Sequence, residues 1–180
     1  MAVLGQKPRA ITPVVFSTRA GVSLPDLLST RSVRFDLDGF SEGRLWPWVK
    51  PETGILVWDP SGTGRITSGR QLFGSATWWM FWKNGYQPLA ALDDNNNGLL
   101  TGKELSGIAV WRDKNSNGVS DPGEVVTVQE FGIVAIAVKP CADTGGQLLR
   151  TDGIQLKNGL TLPTFDWVPT SYPTPVYSTR

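Results

Sequence analysis

Two twelve-residue segments place oxygen-bearing side chains at the spacing of a calcium-binding loop. Loop 1 is DDNNNGLLTGKE at residues 93–104, and loop 2 is DKNSNGVSDPGE at residues 113–124. Both match the pattern D-x-[DN]-x-[DN]-G-x5-E at every required position. The pattern predicts these oxygen ligands: Asp93, Asn95, Asn97, the Leu99 carbonyl, Thr101 and Glu104 in loop 1, and Asp113, Asn115, Asn117, the Val119 carbonyl, Asp121 and Glu124 in loop 2.

The chemistry of Ca²⁺ explains this spacing. The ion prefers about six to eight hard oxygen ligands at roughly 2.3–2.6 Å. Side chains at positions 1, 3 and 5 can surround one ion only if the chain then turns sharply, and Gly98 and Gly118 at position 6 permit this turn through positive φ. Clusters of Asn, Asp and Gly also form surface turns without a metal. Two complete matches in one short chain favour Ca²⁺ as the cofactor.

Two further acidic segments match less completely. Loop 3, DPSGTGRITSGR at residues 59–70, begins with Asp59 but has Arg70 where the closing glutamate would stand. One carboxylate cannot neutralise a divalent cation, so we interpret loop 3 mainly as a turn. Asp36 and Asp38 precede Gly39 without further carboxylates, and we interpret them in the same way.

The overall composition excludes other classes of site. The 180 residues include no His, which excludes Ser-His-Asp and Cys-His catalysis and imidazole metal ligation. The formal net charge is only +1, and no apolar stretch approaches the roughly 20 residues of a membrane span. We therefore expect no nucleic-acid partner and no membrane insertion. No nucleophile elbow or phosphate-binding glycine loop is present, so we predict that the protein is not an enzyme.

Short elements separated by Gly-rich turns must position the loops. Apolar patterning predicts strands at residues 32–37, 54–58 and 132–138. Residues 154–162 predict a β-hairpin around Asn158-Gly159. The aromatic segment 71–82 is predicted to be core, either as a broken helix or as an irregular stretch.

The elements beside the loops are predicted to be short as well. Pro88 suits the first position of a helix that runs into Asp93. Only the eight residues 105–112 separate loop 1 from loop 2, too few for the helices of a full helix-loop-helix pair. We predict one helical turn after Glu104 and then a strand that leads into Asp113.

The chain as a whole divides into three predicted regions. Residues 1–31 are basic, contain scattered prolines and lack apolar periodicity, so we predict a flexible N-terminal arm. Residues 32–168 form the predicted calcium-loop domain with a C-terminal β-hairpin. Residues 169–180 form a predicted Pro-rich tail.

The loops resemble those of the EF-hand family, and residues 33–140 resemble the EF-hand-type calcium domain of large secreted bacterial proteins, including those of the hemolysin type. The resembling pieces are FDLDGFSEG (35–43), WDPSGTGRITSGRQLFG (58–74), KNGYQPLAALDDNNNG (83–98) and VWRDKNSNGVSDPGE (110–124). The resemblance implies no enzymatic activity. We expect an α+β fold class: a small irregular domain of short helices and short β-strands or hairpins around EF-hand-like calcium loops.

The leading functional hypothesis is calcium binding in a structural, non-catalytic module. Asn-rich loops predict weak affinity, toward roughly 10⁻⁴–10⁻³ M, and together with the resemblance this favours an extracellular or cell-surface location. The first ten residues, MAVLGQKPRA, contain no secretory signal. The alternative is a protein- or carbohydrate-binding module that uses exposed Trp residues on a calcium-stabilised scaffold. Trp46 and Trp48, which flank Pro47, are the best candidates for such a surface.

Overall fold

The computed structural model describes residues 11–40 and 43–169 of the chain. In these ranges short strands are joined by turns and by helices of four or five residues. The strands are β1 Val14–Phe16, β2 Leu28–Phe35, β3 Arg44–Val49, β4 Gly54–Trp58, β5 Leu99–Thr101, β6 Ile108–Trp111, β7 Val125–Thr127, β8 Ile133–Ala137, β9 Ala142–Thr144, β10 Gln147–Leu156 and β11 Thr161–Asp166. The helices are α1 Leu24–Leu27, α2 Tyr86–Ala90 and α3 Val128–Phe131, and 3₁₀ turns lie at Gly69–Gln71, Thr77–Trp79 and Gly102–Leu105.

Nine of these strands form one antiparallel sheet that curls into a half-barrel, here called the large sheet. Its order is β5-β8-β10-β11-β1-β4-β6-β7, and β9 pairs with β10 beside this path. Strands β2 and β3 form a separate two-stranded sheet, here called the small sheet, in which Val33 pairs with Trp46. Loop 2 connects β6 to β7 at one edge of the large sheet, and loop 1 leads into β5 at the other edge.

The middle strands of the large sheet are apolar on both faces. Strands β1, β4 and β6 have the sequences VVF, GILVW and IAVW. Because successive side chains in a strand point to opposite faces, these strands contribute to two separate cores. The first core includes Val14, Phe16, Leu56 and Val110, and the second core includes Val15, Ile55, Val57 and Trp111.

Different elements cover the two faces. Leu89 of α2 and Val128 of α3 belong to the first core. The small sheet covers the second core, to which it contributes Val33, Phe35, Trp46 and Trp48. The ring of Trp48 packs edge-on against Trp111 of the large sheet, with the ring centroids 5.6 Å apart. The small sheet is therefore attached to the large sheet through an aromatic interface.

The predicted α+β fold class is wrong. Of the described residues, 38% are in strands and 15% are in helices, which comprise three short α-helical segments and three 3₁₀ turns, so the architecture is mainly β. The reason is that the apolar runs around the loops are buried on both faces of one sheet. Strands can bury both of their faces in this way, whereas helices of four or five residues cannot. None of the helices in the described ranges has the length and apolar character to cross a membrane.

Several local predictions are confirmed. Strand β4 occupies residues 54–58, and β10 and β11 form the predicted hairpin, in which Ile154 pairs with Leu162. A helix forms at Pro88 as predicted, but its predicted bounds are wrong, because α2 begins two residues before Pro88 and ends at Ala90, short of loop 1. The aromatic segment is irregular rather than helical, because Trp78, Trp79 and Phe81 have positive φ.

Part of the predicted N-terminal arm is wrong as well. Strand β1 lies between β11 and β4, in the middle of the large sheet, and its three residues are fully buried. Residues 24–31 form α1 and the start of β2. The prediction failed because three apolar residues among prolines give no periodic signal, although they suffice for a short buried strand. Residues 1–10 of the arm and residues 170–180 of the tail lie outside the described ranges.

Asp166 is a buried acid at the end of β11. Its side chain is 3% exposed and accepts a hydrogen bond from the Gly85 amide, with Gly85 N 2.7 Å from Oδ1. Burial disfavours the ionised carboxylate and raises the pKa of Asp166 to about 7, although the Gly85 amide opposes this shift. In the unfolded chain the carboxyl group ionises near its ordinary pKa of about 4. Asp166 therefore favours the folded state at low pH, and this contribution is lost as the pH rises from about 4 through 7.

We predict that Asp166→Asn removes this pH dependence. Asparagine keeps an oxygen that can accept from Gly85 and carries no charge at any pH. Relative to the native chain, the variant should gain on the order of 3 kcal/mol of unfolding free energy between pH 4 and pH 8. Urea unfolding of both proteins at several pH values measures this difference. A difference that stays constant across this range would contradict the assignment.

Candidate metal centre

Loop 1 follows α2, and its last three residues belong to the 3₁₀ turn Gly102–Leu105. Its positions 7–9 form β5, which pairs with β8 so that Leu100 lies opposite Ile136. Leu100 is fully buried in the first core. The apolar residue at position 8 therefore anchors loop 1 to the edge of the large sheet.

The carboxylates of Asp93 and Glu104 organise loop 1 by accepting main-chain hydrogen bonds. Asp93 Oδ1 accepts from the Asn97 amide at 3.1 Å, and Oδ2 accepts from the Gly98 amide at 2.8 Å. Glu104 Oε1 accepts from the Asp94 amide at 3.1 Å, and Oε2 accepts from the Thr101 amide at 3.0 Å. Both acids thus face the same turn of chain.

The same frame recurs in loop 2. Asp113 Oδ1 accepts from the Asn117 amide at 3.1 Å, and Oδ2 accepts from the Gly118 amide at 2.7 Å. Glu124 Oε1 accepts from the Lys114 amide at 2.7 Å, and Oε2 accepts from the Asp121 amide at 3.1 Å. Position by position, these four bonds match the four bonds of loop 1.

The two loops also share their backbone conformation. The fourth residues, Asn96 and Ser116, have φ of 58° and 53°. The sixth residues, Gly98 and Gly118, have φ of 87° and 74°. Left-handed conformations at positions 4 and 6 wrap the intervening amides around the first aspartate, and at position 6 glycine adopts this conformation without strain.

Loop 3 has the same construction at its first half. Asp59 Oδ1 accepts from the Thr63 amide at 3.0 Å, and Oδ2 accepts from the Gly64 amide at 2.8 Å. Gly62 and Gly64, at positions 4 and 6, have φ of 62° and 65°. The sequence predicted that loop 3 is mainly a turn. In the structure, its first aspartate accepts the same two main-chain hydrogen bonds as the first aspartates of loop 1 and loop 2.

A neutral amide closes loop 3 in place of the glutamate. Gln71, one residue beyond position 12, accepts from the Thr67 amide through Oε1 at 2.9 Å and donates from Nε2 to the Arg65 carbonyl at 2.9 Å. Arg70, at position 12, instead donates to the Gly39 carbonyl and lies 3.9 Å from the ring centroid of Trp79. Sequence reasoning missed the role of Gln71, for which the only signal is a side chain of glutamate length displaced by one residue.

The predicted ligands converge to different extents. In loop 2, Asn115 and Asn117 both donate through Nδ2 to Asp121 Oδ2, at 2.7 and 3.0 Å. In loop 1, Asn95 Nδ2 donates to Glu104 Oε1 at 3.0 Å. Across residues 11–40 and 43–169, no three His, Cys, Asp or Glu side chains are grouped so as to hold a metal ion. Asparagine and main-chain oxygens make up the rest of the predicted ligands.

The four acids at the ends of loop 1 and loop 2 differ in burial. Asp113 is fully buried and Glu124 is 4% exposed, whereas Asp93 is 8% exposed and Glu104 is half-buried. Within the described ranges, no Lys or Arg forms an ion pair with Asp113 or Glu124. Among the residues that the structure describes, the two buried carboxylates of loop 2 therefore have no cationic side chain paired with them.

The tryptophans proposed as an exposed surface are buried. Trp46 is 4% exposed and Trp48 is fully buried, because both point from β3 into the second core. Their positions beside Pro47 had predicted a loop, but the residues form a strand that pairs with β2. The exposed apolar residues lie elsewhere, and they include Phe40 and Met80.

Comparison with known proteins shows similarity over most of the described chain. A family model described as SPM domain matches residues 18–164, more than half of the chain and including both complete loops. One relative, the iron-regulated protein FrpA of Neisseria meningitidis serogroup C, is 36% identical over 94 residues. That alignment covers 49% of this chain and 8% of the relative, so the chain spans a small part of that protein's length.

We predict that alanine is tolerated less well at Gly118 than at Gly98. Both substitutions strain a left-handed residue, at about 1–2 kcal/mol. A Cβ at Gly118 would also lie 2.8 Å from Val33 Cγ2 on the small sheet, whereas a Cβ at Gly98 would have no atom within 4 Å. Gly118→Ala should therefore lose about 1–3 kcal/mol more unfolding free energy than Gly98→Ala, measured by urea unfolding in one buffer. Equal losses would contradict the contact between loop 2 and Val33.

Proposed function

The chain belongs to the SPM domain family, and we propose that it binds Ca²⁺ through loop 1 and loop 2 as a structural, non-catalytic module. The observation that carries this proposal is the repeated frame of the two loops. Two separate segments bring the first aspartate and the last glutamate of a twelve-residue pattern onto the same turn through equivalent hydrogen bonds. A hard cation needs oxygen ligands that converge on one place, and this frame supports the proposal because it brings the first and last predicted ligands of each loop together.

The proposed ligands are the side chains and carbonyls that the pattern predicts. In each loop the carboxylates at positions 1 and 12 would supply negative charge, and the asparagines at positions 3 and 5 would supply neutral oxygens. Oxygen donors without thiol or imidazole suit Ca²⁺ rather than a transition metal. Loop 3 would bind no ion, since Gln71 supplies no charge and Arg70 places a cation at position 12 of the loop.

The buried acids of loop 2 support a role in stability. Burying a carboxylate is costly unless it is paired with a cation or coordinates a metal. Asp113 and Glu124 have hydrogen-bond donors but, in the part of the chain that the structure describes, no cationic side chain as a partner. Calcium in loop 2 would compensate their charge. An ion that binds only the folded chain raises the free energy of unfolding by about 2.7 kcal/mol at a hundredfold excess over Kd.

The sites are proposed to be weak and to work where calcium is abundant. Four of the six proposed ligands in loop 1 carry no formal charge, and such loops belong toward roughly 10⁻⁴–10⁻³ M. This range suits an extracellular or cell-surface setting, where calcium would be abundant enough to occupy the loops.

We predict that isothermal titration with Ca²⁺ shows two bound ions and that Mg²⁺ produces little heat. Glu104→Gln and Glu124→Gln each keep the shape of the closing side chain and remove its charge, so each should abolish one of the two binding events. The double variant should bind no calcium. Two binding events that survive in both single variants would contradict the assignment of these loops.

A second candidate function uses an exposed apolar surface around Trp79. Phe40 and Met80 are 59% and 61% exposed, and the ring centroids of Phe40 and Trp79 lie 5.0 Å apart. The Arg70 guanidinium covers one face of Trp79, so this ring is a poor platform for stacking a sugar. We propose that this surface contacts the apolar surface of a partner protein.

We predict that this surface binds the fluorescent apolar probe ANS. The double variant Phe40→Ser with Met80→Ser should lose most of the probe fluorescence, since it removes the two most exposed large apolar side chains of the described ranges. The control variant Val134→Ser with Leu160→Ser changes two residues that are 43% and 41% exposed elsewhere. Equal probe fluorescence in both variants would contradict an accessible surface at Trp79.

A further inference from the structure

Loop 2 differs from loop 1 in contacting the small sheet. The indole Nε1 of Trp48 on β3 donates to Asp113 Oδ2 at 2.7 Å, and both residues are fully buried. Ser116 Oγ donates to the Val49 carbonyl at 3.4 Å, and Arg31 Nη1 donates to the Asn115 carbonyl at 3.4 Å. Loop 2 therefore contacts both strands of the small sheet, whereas loop 1 packs against β8.

Both terminal acids of loop 2 are bonded to tryptophans of the second core. Trp111 Nε1, from the large sheet, donates to Glu124 Oε2 at 3.4 Å. Trp48, from the small sheet, donates to Asp113. The two indole rings touch each other in a T-shaped arrangement. The predicted first and last ligands of loop 2 are thus held by one ring from each sheet.

The small sheet depends on this attachment because two strands alone are marginally stable in water. It is fixed to the large sheet by the aromatic second core, by loop 2 and by the contact of Asp36 with Gly69, where the Gly69 amide donates to the Asp36 carbonyl at 2.7 Å. Loop 2 is the part of this attachment that carries buried negative charge. An ion bound there would act on the attachment directly.

We propose that calcium in loop 2, and not calcium in loop 1, fixes the small sheet against the large sheet, with Trp48 as the residue that positions Asp113. This inference rests on the proposed calcium function. A cation held by loop 2 would compensate the buried charges of Asp113 and Glu124 and keep both carboxylates where Trp48 and Trp111 contact them. Without the cation, these carboxylates gain by exposure to water, which requires the small sheet to move away.

The coupling must act in both directions. If calcium in loop 2 favours the docked small sheet, then contacts that hold the small sheet favour calcium in loop 2 by the same factor. Trp48→Phe keeps an aromatic ring in the second core and removes only the N–H donor to Asp113. Trp46→Phe is a matched control, since Trp46 lies two residues away, is also buried and donates to the Phe35 carbonyl within the small sheet.

Hydrogen–deuterium exchange of the full chain tests the proposal. In the native chain and in Glu104→Gln, amides of residues 28–35 and 44–49 should exchange at least tenfold more slowly in excess calcium than in EDTA. In Glu124→Gln this calcium-dependent protection should be absent. Equal protection of the small sheet in Glu104→Gln and Glu124→Gln would overturn the proposal while leaving calcium binding intact.

Calcium titrations of the tryptophan variants provide the second test and do not require Glu124→Gln to fold. In a Glu104→Gln background, Trp48→Phe should weaken the remaining site at least fivefold, and Trp46→Phe should change it less than twofold. In a Glu124→Gln background, Trp48→Phe should leave the loop 1 site unchanged. Equal effects of the two tryptophan variants on loop 2 would overturn the role of Trp48, whereas a native chain that binds no calcium would refute the proposed function itself.

Discussion

The structure depends on the middle strands of the large sheet, which are apolar on both faces. Strands β1, β4 and β6 are apolar at nearly every position, so both of their faces must be covered. Short helices cover one face and the small sheet covers the other. Trp48 of the small sheet is distant from loop 2 in the sequence but adjacent to it in space. Because the small sheet covers this second face, Trp48 lies against Asp113.

The acidic loops at the ends of these strands are local structures. Within each loop the carboxylate of the first aspartate accepts hydrogen bonds from the amides of the fifth and sixth residues. The chain must adopt left-handed conformations for both amides to reach this one carboxylate. Loop 3 shows that this half of the frame forms without the closing glutamate, because Asp59 makes the same two bonds. The closing residue is what differs: a glutamate carboxylate closes loop 1 and loop 2, whereas the neutral amide of Gln71 closes loop 3.

The position of a loop in the fold gives it a different role even when its local frame is the same. Loop 1 extends the edge of the large sheet through β5 and contacts the first core through Leu100. Loop 2 lies where the large and small sheets meet, with Asp113 fully buried. The same ligating residues at these two places would therefore have different effects on the fold. Under the proposed calcium function, an ion at the edge of the large sheet would stabilise loop 1 itself, and an ion between the sheets would act on their association.

The sequence by itself determined the features that depend on a few neighbouring residues. It located the frames of loop 1 and loop 2, the hairpin around Asn158-Gly159 and the apolar strand at residues 54–58, because turn glycines, capping carboxylates and short apolar runs act within about ten residues. Only the tertiary structure decided the mainly β class, the central place of β1 and the burial of Trp46 and Trp48. These depend on which strand covers which face, and a sequence pattern cannot give that because the partners are separated along the chain by tens of residues.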